Sequence, residues 1–319
     1  MPDRTSRADR VREVLSDATA RLRQCLEGAP GGSGETPYLD ALLLLGQALG
    51  EPVERILASL PDQVDPDALE RYERFLTRRC RGVPVSYIRG TKEFYGREFC
   101  VTPAVLVPRP DSETLIEAVF VAIDDLERQR VNGNGAGPLH VHDACTGSGC
   151  IAITVAAERP GVVVSASDID EAALDVARRN AERMLAGIRP EANRVRFWKS
   201  DLLSGIPDGC TAAGLQPPGI IAANPPYLTD TQYRALRTAH WPEPPIALRG
   251  GPDGLDPVRG IVRQAVTVLA PGGYLLLEIG CDQATAALRV LEESGFVRAH
   301  VEKDLAGRDR MVTGQRPAP

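Results

Sequence analysis

Residues 139–168 read LHVHDACTGSGCIAITVAAERPGVVVSASD. Two apolar runs, Leu139 to Ala144 and Val162 to Ser167, enclose a turn rich in small residues and a helical stretch over 149–158. Strand, helix and strand in this order are the unit of a parallel sheet, and the pattern repeats downstream. Further strands are expected at Val195 to Lys199, Ile220 to Ala223 and Gly273 to Ile279, with a closing pair near Val297 to Glu302 and Arg310 to Gly314. Helices are expected at 171–187, 230–238, 256–270 and 282–294. The outcome is a doubly wound α/β domain, whose ligands collect at the carboxyl ends of the strands.

Upstream the pattern changes. Val11 to Leu26, Tyr38 to Leu49 and Pro66 to Arg81 carry helical periodicity, and GEPVERILASLPD leaves room for one more short helix. Residues 1–82 therefore read as a small helical domain, ending at Gly82 with Pro84 just beyond. From Val85 to Pro108 aromatic and β-branched residues with turn points at Gly90 and Gly96 predict two short paired strands, a hairpin linker over 83–108. Residues 109–319 form the α/β domain, opening with a helix from Asp111 to about Gln129 and a flexible VNGNGAGP break. DGCTAAGLQPPG, which ends at Gly219, reads as a surface loop.

The 319 residues are 43% hydrophobic and 25% charged, with a net charge of −6, as in an ordinary globular chain. A duplex-binding protein is disfavoured, because such proteins gain affinity by neutralising phosphates with basic residues. The charged start MPDRTSRADRVREVLSD lacks the apolar core of a signal peptide, and no apolar run reaches membrane-span length. A cytoplasmic monomer is expected. Seven cysteines lie scattered without Cys-x-x-Cys pairs or a histidine cluster, so free thiols and no metal are expected.

The strand ends carry the chemistry. Cys145, Thr146, Gly147, Ser148 and Gly149 form a turn that lets the backbone approach a flat or anionic ligand. Gly147, Gly149 and Ala152 meet the looser form of the dinucleotide fingerprint, and no Lys-Ser/Thr pair follows to make a phosphate loop. Asp168, about twenty residues on, suits ribose hydroxyls, and alternatively an N-cap for the next helix, a role open to Asp170. Ser200 and Asp201 end the third strand, where an acid can receive an adenine amine or simply sit in a solvated turn. NAD and S-adenosylmethionine both remain open at this point.

The fourth strand ends in Asn224-Pro225-Pro226-Tyr227. The prolines stiffen the turn, so the Asn224 side chain and the Pro225 carbonyl can present two acceptors to a planar N–H₂ group while Tyr227 covers its face. Such a nitrogen is a poor nucleophile because its lone pair is delocalised. Two acceptors on its hydrogens favour pyramidal nitrogen as a methyl group arrives. Hydride transfer has no such need, so S-adenosylmethionine is preferred. Glu243 and Glu278 are acids near these loops, each with a packing or solvated account as well as a supporting one.

PRPDSETL, DACTGSGCIAI, SDID, NPPY, EPPIALRGGPDGLD, GGYLLLEIG and DLAGRDRMV occur in this order. Together with TRRCRGVPVSYIRGTKEFYGREF they resemble, over nearly the whole chain, the bacterial peptide chain release factor N5-glutamine methyltransferases, the HemK/PrmC family. The resemblance implies a Rossmann-like class I S-adenosylmethionine-dependent methyltransferase domain behind a helical substrate-recognition domain. It also implies methyl transfer to the glutamine N5 of the Gly-Gly-Gln motif in class 1 release factors, with S-adenosylhomocysteine as product. On this resemblance Cys145 to Gly149 hold the cofactor with Asp168 and Leu202, and Asp201 and Asn224 are expected beside them as cofactor contacts. The resemblance also implies that Asn224, Pro225, Pro226 and Tyr227 hold the substrate amide; Arg109 and Glu243 are expected among the substrate contacts, Glu243 with loop packing as its other account. Phe99, Arg109 and Pro110 fall in segments near the methionine end of the cofactor.

Cys145 and CTGSGC also resemble a sister group acting on a glutamine of a large-subunit ribosomal protein, whereas VPRPDSE matches the release factor group. A DNA adenine-N6 methyltransferase shares the tetrapeptide, but would need a basic cleft and a target-recognition region. A non-catalytic cofactor-binding protein would be marked by an altered tetrapeptide or a lost Asp168; both are intact.

Overall fold

The computed structural model describes residues 10–27, 36–60, 62–132, 137–187, 195–238 and 241–318. Much of the expected VNGNGAGP break, residues 133–136, lies outside them. The chain divides into two compact units, residues 1–91 with 235–242, and residues 92–234 with 243–319.

The first unit is helical: α1 (Val11–Leu26), α2 (Pro37–Leu49), α3 (Val53–Ala58), α4 (Pro66–Cys80) and α5 (Val85–Arg89). Helix α1 buries Val11, Val14, Leu15, Ala18, Leu22 and Leu26, the stripe that three- and four-residue spacing places on one face. Helix α4 starts where the Asp65 carboxylate accepts the Ala68 N–H, with Pro66 at the first helical position. Its Tyr72 hydroxyl donates to the Ala41 carbonyl at 3.0 Å, and Arg79 pairs with Asp40 at 2.8 Å, so α4 is tied to α2 by polar contacts inside an apolar core. Cys25 and Cys80 are joined in a disulfide. This corrects the expectation of free thiols throughout: residues 55 apart in sequence meet because α1 and α4 pack side by side.

The segment Val85–Arg89, expected as strand, is helical and stops at Gly90 with φ +76°. The hairpin follows as β1 (Thr91–Phe94) and β2 (Arg97–Cys100). Tyr95 and Gly96 both have positive φ, as a two-residue hairpin loop of the twist-matched kind requires.

The second unit is built on a seven-stranded sheet ordered β5 (Arg196–Lys199), β4 (Val163–Asp168), β3 (His140–Ala144), β6 (Ile220–Ala223), β7 (Tyr274–Glu278), β9 (Asp309–Gln315), β8 (Val297–Lys303). Strands β3 to β7 run parallel, while β9 is antiparallel to both β7 and β8. Helices α6 (Glu113–Asn132), α7 (Cys150–Glu158), α8 (Glu171–Leu185), α9 (Ile206–Ala213), α10 (Asp230–Thr238), α11 (Asp256–Val268) and α12 (Ala284–Glu293) complete the helix order. Along β6, Ile220 and Ala222 join one apolar cluster and Ile221 and Ala223 the other, so both faces of the sheet are covered.

Two local differences from the sequence reading have physical causes. The expected helix from Asp111 opens as a 3₁₀ turn, Pro110–Ser112, before α6 begins. The expected loop around 208 contains α9, with Pro207 in its first turn, Gly214 as its left-handed cap, and Ile206 and Cys210 buried four residues apart. Its Gly209 lies against Trp198, whose ring would stand 2.7 Å from an added Cβ. Gly209 is there for close approach.

The register aligns the functional strand ends. Ala144 pairs with Ser167 on one side and Ala223 on the other, and Ala223 pairs with Leu277. The residues that follow, Cys145, Asp168, Asn224 and Glu278, therefore share one edge of the sheet.

Candidate active site

The turn after β3 is held by two acids, the buried Asp143 and the half-buried Asp168. Asp143 accepts the Thr146 hydroxyl at 2.6 Å and the Ala152 N–H at 3.1 Å, which closes the turn onto the start of α7. Burial pushes the Asp143 carboxyl up to about 7, and its Oδ1 has no partner among the described residues. Asp168 accepts the Gly147 N–H at 2.9 Å and the Asp170 N–H at 3.0 Å, and burial raises its pKa. Asp170 caps α8 through the Ala172 N–H, which removes the capping account of Asp168.

The backbone here is tightly wound. Cys145, Gly147 and Gly149 all have positive φ, and for Cys145 that conformation costs about 1 kcal/mol. A Cβ at Gly149 would stand 2.9 Å from Ile153 Cδ1 and 3.1 Å from Ala177 Cβ, whereas one at Gly147 would meet nothing within 4 Å. Gly149 thus brings α8 close, and Gly147 has open space at its Cβ position. The N–H groups of Gly147, Gly149 and Ala152 all bond within the protein.

Asn180 of α8 escaped the sequence reading. It is fully buried, accepts the Cys100 N–H at 2.8 Å, and donates to the carbonyls of Cys100 at 3.0 Å and Ser148 at 2.9 Å. A mid-helix asparagine offers no sequence signal for such a bridge.

At the end of β6, Asn224 Nδ2 lies 3.1 Å from Ser112 Oγ, and Ser112 donates to Glu278 Oε2 at 2.6 Å. Glu278 is buried, which replaces its solvated account, and burial pushes its carboxyl up to about 7. The prolines hand the chain to a braced loop. Leu228 N–H donates to Leu248 at 2.9 Å, Gly250 N–H returns to Leu228 at 2.8 Å, and Gln283 donates to the Tyr227 carbonyl at 2.9 Å. An added Cβ at Gly250 would stand 2.7 Å from the Pro226 carbonyl, and one at Gly254 would strike the Tyr227 carbonyl. Gly250 and Gly254 of RGGPDG are thus required by the tetrapeptide's backbone, whereas Gly251 makes room for the Asp256 side chain, relations visible only once both segments are in place.

Glu243 is turned inward, accepting the Val107 N–H at 3.0 Å and pairing with Arg109 at 2.5 Å. It braces the segment that carries Arg109. One cleft is lined by Arg109, Cys145, Thr146, Gly147, Ser148, Asp168 and Asn224, together with Ser112 and Ile246. Gly149, Asp201, Leu202, Pro225, Pro226, Tyr227 and Glu243 are not on its wall. Asp201 is exposed at the surface, and Leu202, at φ +53°, turns its side chain onto Gly260 of α11. Phe99 is fully buried, packed edge-on against Phe94 in the core rather than facing the cleft.

A carboxylate with open lone pairs on both oxygens, beside a glycine turn with a free side, fits the ribose and methionine parts of an adenosyl cofactor. A planar amide at the next strand end fits a nitrogen nucleophile. Residues 13–90 match the PrmC N-terminal domain and residues 134–239 the methyltransferase small domain. Cleft and matches together define an α/β methyltransferase carrying its own helical amino-terminal domain.

The release factor glutamine methyltransferase of Moorella thermoacetica is 38% identical, over 96% of this chain and 98% of its own length. Those of Neisseria gonorrhoeae and Cereibacter sphaeroides are 37% identical over 89% and 39% over 97% of this chain, covering 95% and 99% of theirs. The chain belongs to the release factor glutamine methyltransferase family. Among the described residues, no helix is long and apolar enough to cross a membrane.

Proposed function

We infer that the protein transfers a methyl group from S-adenosylmethionine to the side-chain N5 of the glutamine in the Gly-Gly-Gln motif of class 1 peptide chain release factors. The observation that carries this reading is the shared cleft, lined by Asp168, the Cys145–Ser148 turn and Asn224 together in a chain of this family. S-adenosylmethionine supplies an electrophilic methyl on its sulfonium. Asp168 takes ribose hydroxyls, and the turn gives room to the methionine part. Asn224 Oδ1 and the Pro225 carbonyl accept the two N–H bonds of the substrate amide, and Tyr227 lies against its plane. The N5–methyl bond forms as the sulfur–methyl bond breaks, and the nitrogen's surplus proton leaves to solvent, since it becomes acidic only as the bond forms. The helical unit takes a second surface of the release factor, which a tripeptide motif alone is too small to specify.

Incubation with labelled cofactor and candidate factors, followed by mapping of the methylated residue by mass spectrometry, tests the substrate. A mark on the Gly-Gly-Gln glutamine is expected, and a mark on a ribosomal protein glutamine instead would transfer the chain to the sister activity. Removing residues 1–82 should depress methylation of whole factor more than that of a loop peptide; equal loss on both would assign those residues to stability.

A further inference from the structure

Ser112 and Glu278 take no part in the chemistry above, yet both are buried directly behind Asn224. Their hydrogen bonds have a direction that follows from proton counting. Ser112 has one hydroxyl proton, and an ionised Glu278 can only accept it. The 2.6 Å contact therefore takes that proton, and Ser112 Oγ meets Asn224 at 3.1 Å as an acceptor. Asn224 must answer with its N–H₂ end, which leaves Oδ1 as the end free for a ligand.

An amide flip changes shape very little, so packing alone would hold Asn224 in either sense. If Glu278 is protonated, its hydroxyl can donate to Ser112, and Ser112 can then donate to Asn224 Oδ1. Asn224 would in that case offer an N–H₂ to a substrate that also offers one.

We propose that Glu278 and Ser112 are positioning residues, a proton-directed relay that keeps the Asn224 carbonyl oxygen toward the substrate amide only while Glu278 is ionised. The proposal rests on the reading of Asn224 as acceptor of the glutamine N–H. Burial and Asp111 favour the neutral carboxyl, whereas Ser112, Arg310 of β9 and Arg109 favour the charged one; Tyr227 and Cys150 are the other titratable groups that sense its charge. The balance places the change at about 7, within reach of ordinary assays.

Methylation of whole release factor is measured against pH for the parent, Ser112→Ala, Ser112→Thr, Glu278→Gln and Asn224→Ala. The parent's kcat should fall on the acid side with a midpoint of about 7. That limb should be missing in Glu278→Gln, which has no proton to gain. Ser112→Ala should lower kcat about tenfold at alkaline pH and flatten the limb, with the cofactor KM changed less than about twofold. Ser112→Thr keeps the hydroxyl and should recover the loss. A parental rate in Asn224→Ala would overturn the acceptor reading itself. A slow Asn224→Ala with parental rate and profile in both Ser112→Ala and Glu278→Gln would overturn the relay alone. Equal loss in Ser112→Ala and Ser112→Thr would also overturn it, in favour of packing.

Discussion

The Asp168 carboxylate accepts the backbone N–H of Gly147 at 2.9 Å, so the acid ending β4 and the glycine turn after β3 form one unit. The acid is thereby aimed before any cofactor arrives. Replacing Asp168 by alanine should raise the S-adenosylmethionine dissociation constant about 10- to 100-fold, the loss expected for hydrogen bonds to a charged group. Titration calorimetry reads this directly, and an unchanged constant would remove the cofactor from this cleft.

Asn180 bridges β2 and the glycine turn through three hydrogen bonds inside the core. Its replacement by alanine strands one N–H and two carbonyls, which should cost about 2–4 kcal/mol. Urea unfolding of parent and variant gives the difference. A loss below about 0.5 kcal/mol would mean that these groups find other partners.

Gly209→Ala is expected to run against helix propensity. In an open helix the change stabilises by about 1 kcal/mol. Here the new methyl would stand 2.7 Å from the Trp198 ring, and overpacking of that kind costs about 1–3 kcal/mol. A lower melting temperature is expected, and a raised one would show that α9 does not rest on Trp198.

His140 and His142 share Ser165, at 2.7 and 2.8 Å, and His142 also meets Ser167 at 3.0 Å while its ring stacks on Trp198. Burial, with His140 beside it, pushes His142 down to about 3. The folded protein therefore binds fewer protons than the unfolded chain between about pH 3 and the ordinary histidine value of about 6.5. The contribution is complete above that window and is lost as pH falls through it. The stability advantage of the parent over His142→Asn should shrink steadily from about pH 6.5 downward, as followed by urea midpoints. An advantage that stays constant would show a ring protonated in the fold.

How much of this was legible in the sequence differs from element to element. Strands such as Ile220–Ala223 and helices such as Asp230–Thr238 follow from periodicity and terminal residues, which act over a few positions. Helix α9 lies largely in a segment read as a surface loop, although its Gly209 allows contact with Trp198 and Pro207 stands in its first turn. Val85–Arg89 has β-forming residues but five of them in a helical turn between Pro84 and Gly90, where context overrides propensity. In the site, Asp168 and Asn224 stood out as polar residues closing apolar strands. Ser112 and Asn180 did not, since a serine and an asparagine on helical segments are common at any surface.

The sequence by itself determined the parallel core of the sheet, the helical amino-terminal unit and the chemical types at each strand end, because each of these is written in neighbouring residues. Only the tertiary structure decided which distant groups meet. Cys25 reaches Cys80 across 55 residues, Asn180 reaches Cys100 across 80, and Asn224 reaches Glu278 through Ser112, which is 112 residues from one and 166 from the other. Local patterns specify an element and its buried face. The partner of a buried polar group is set by strand order and register, and the direction of its hydrogen bond by which neighbour still has a proton to give.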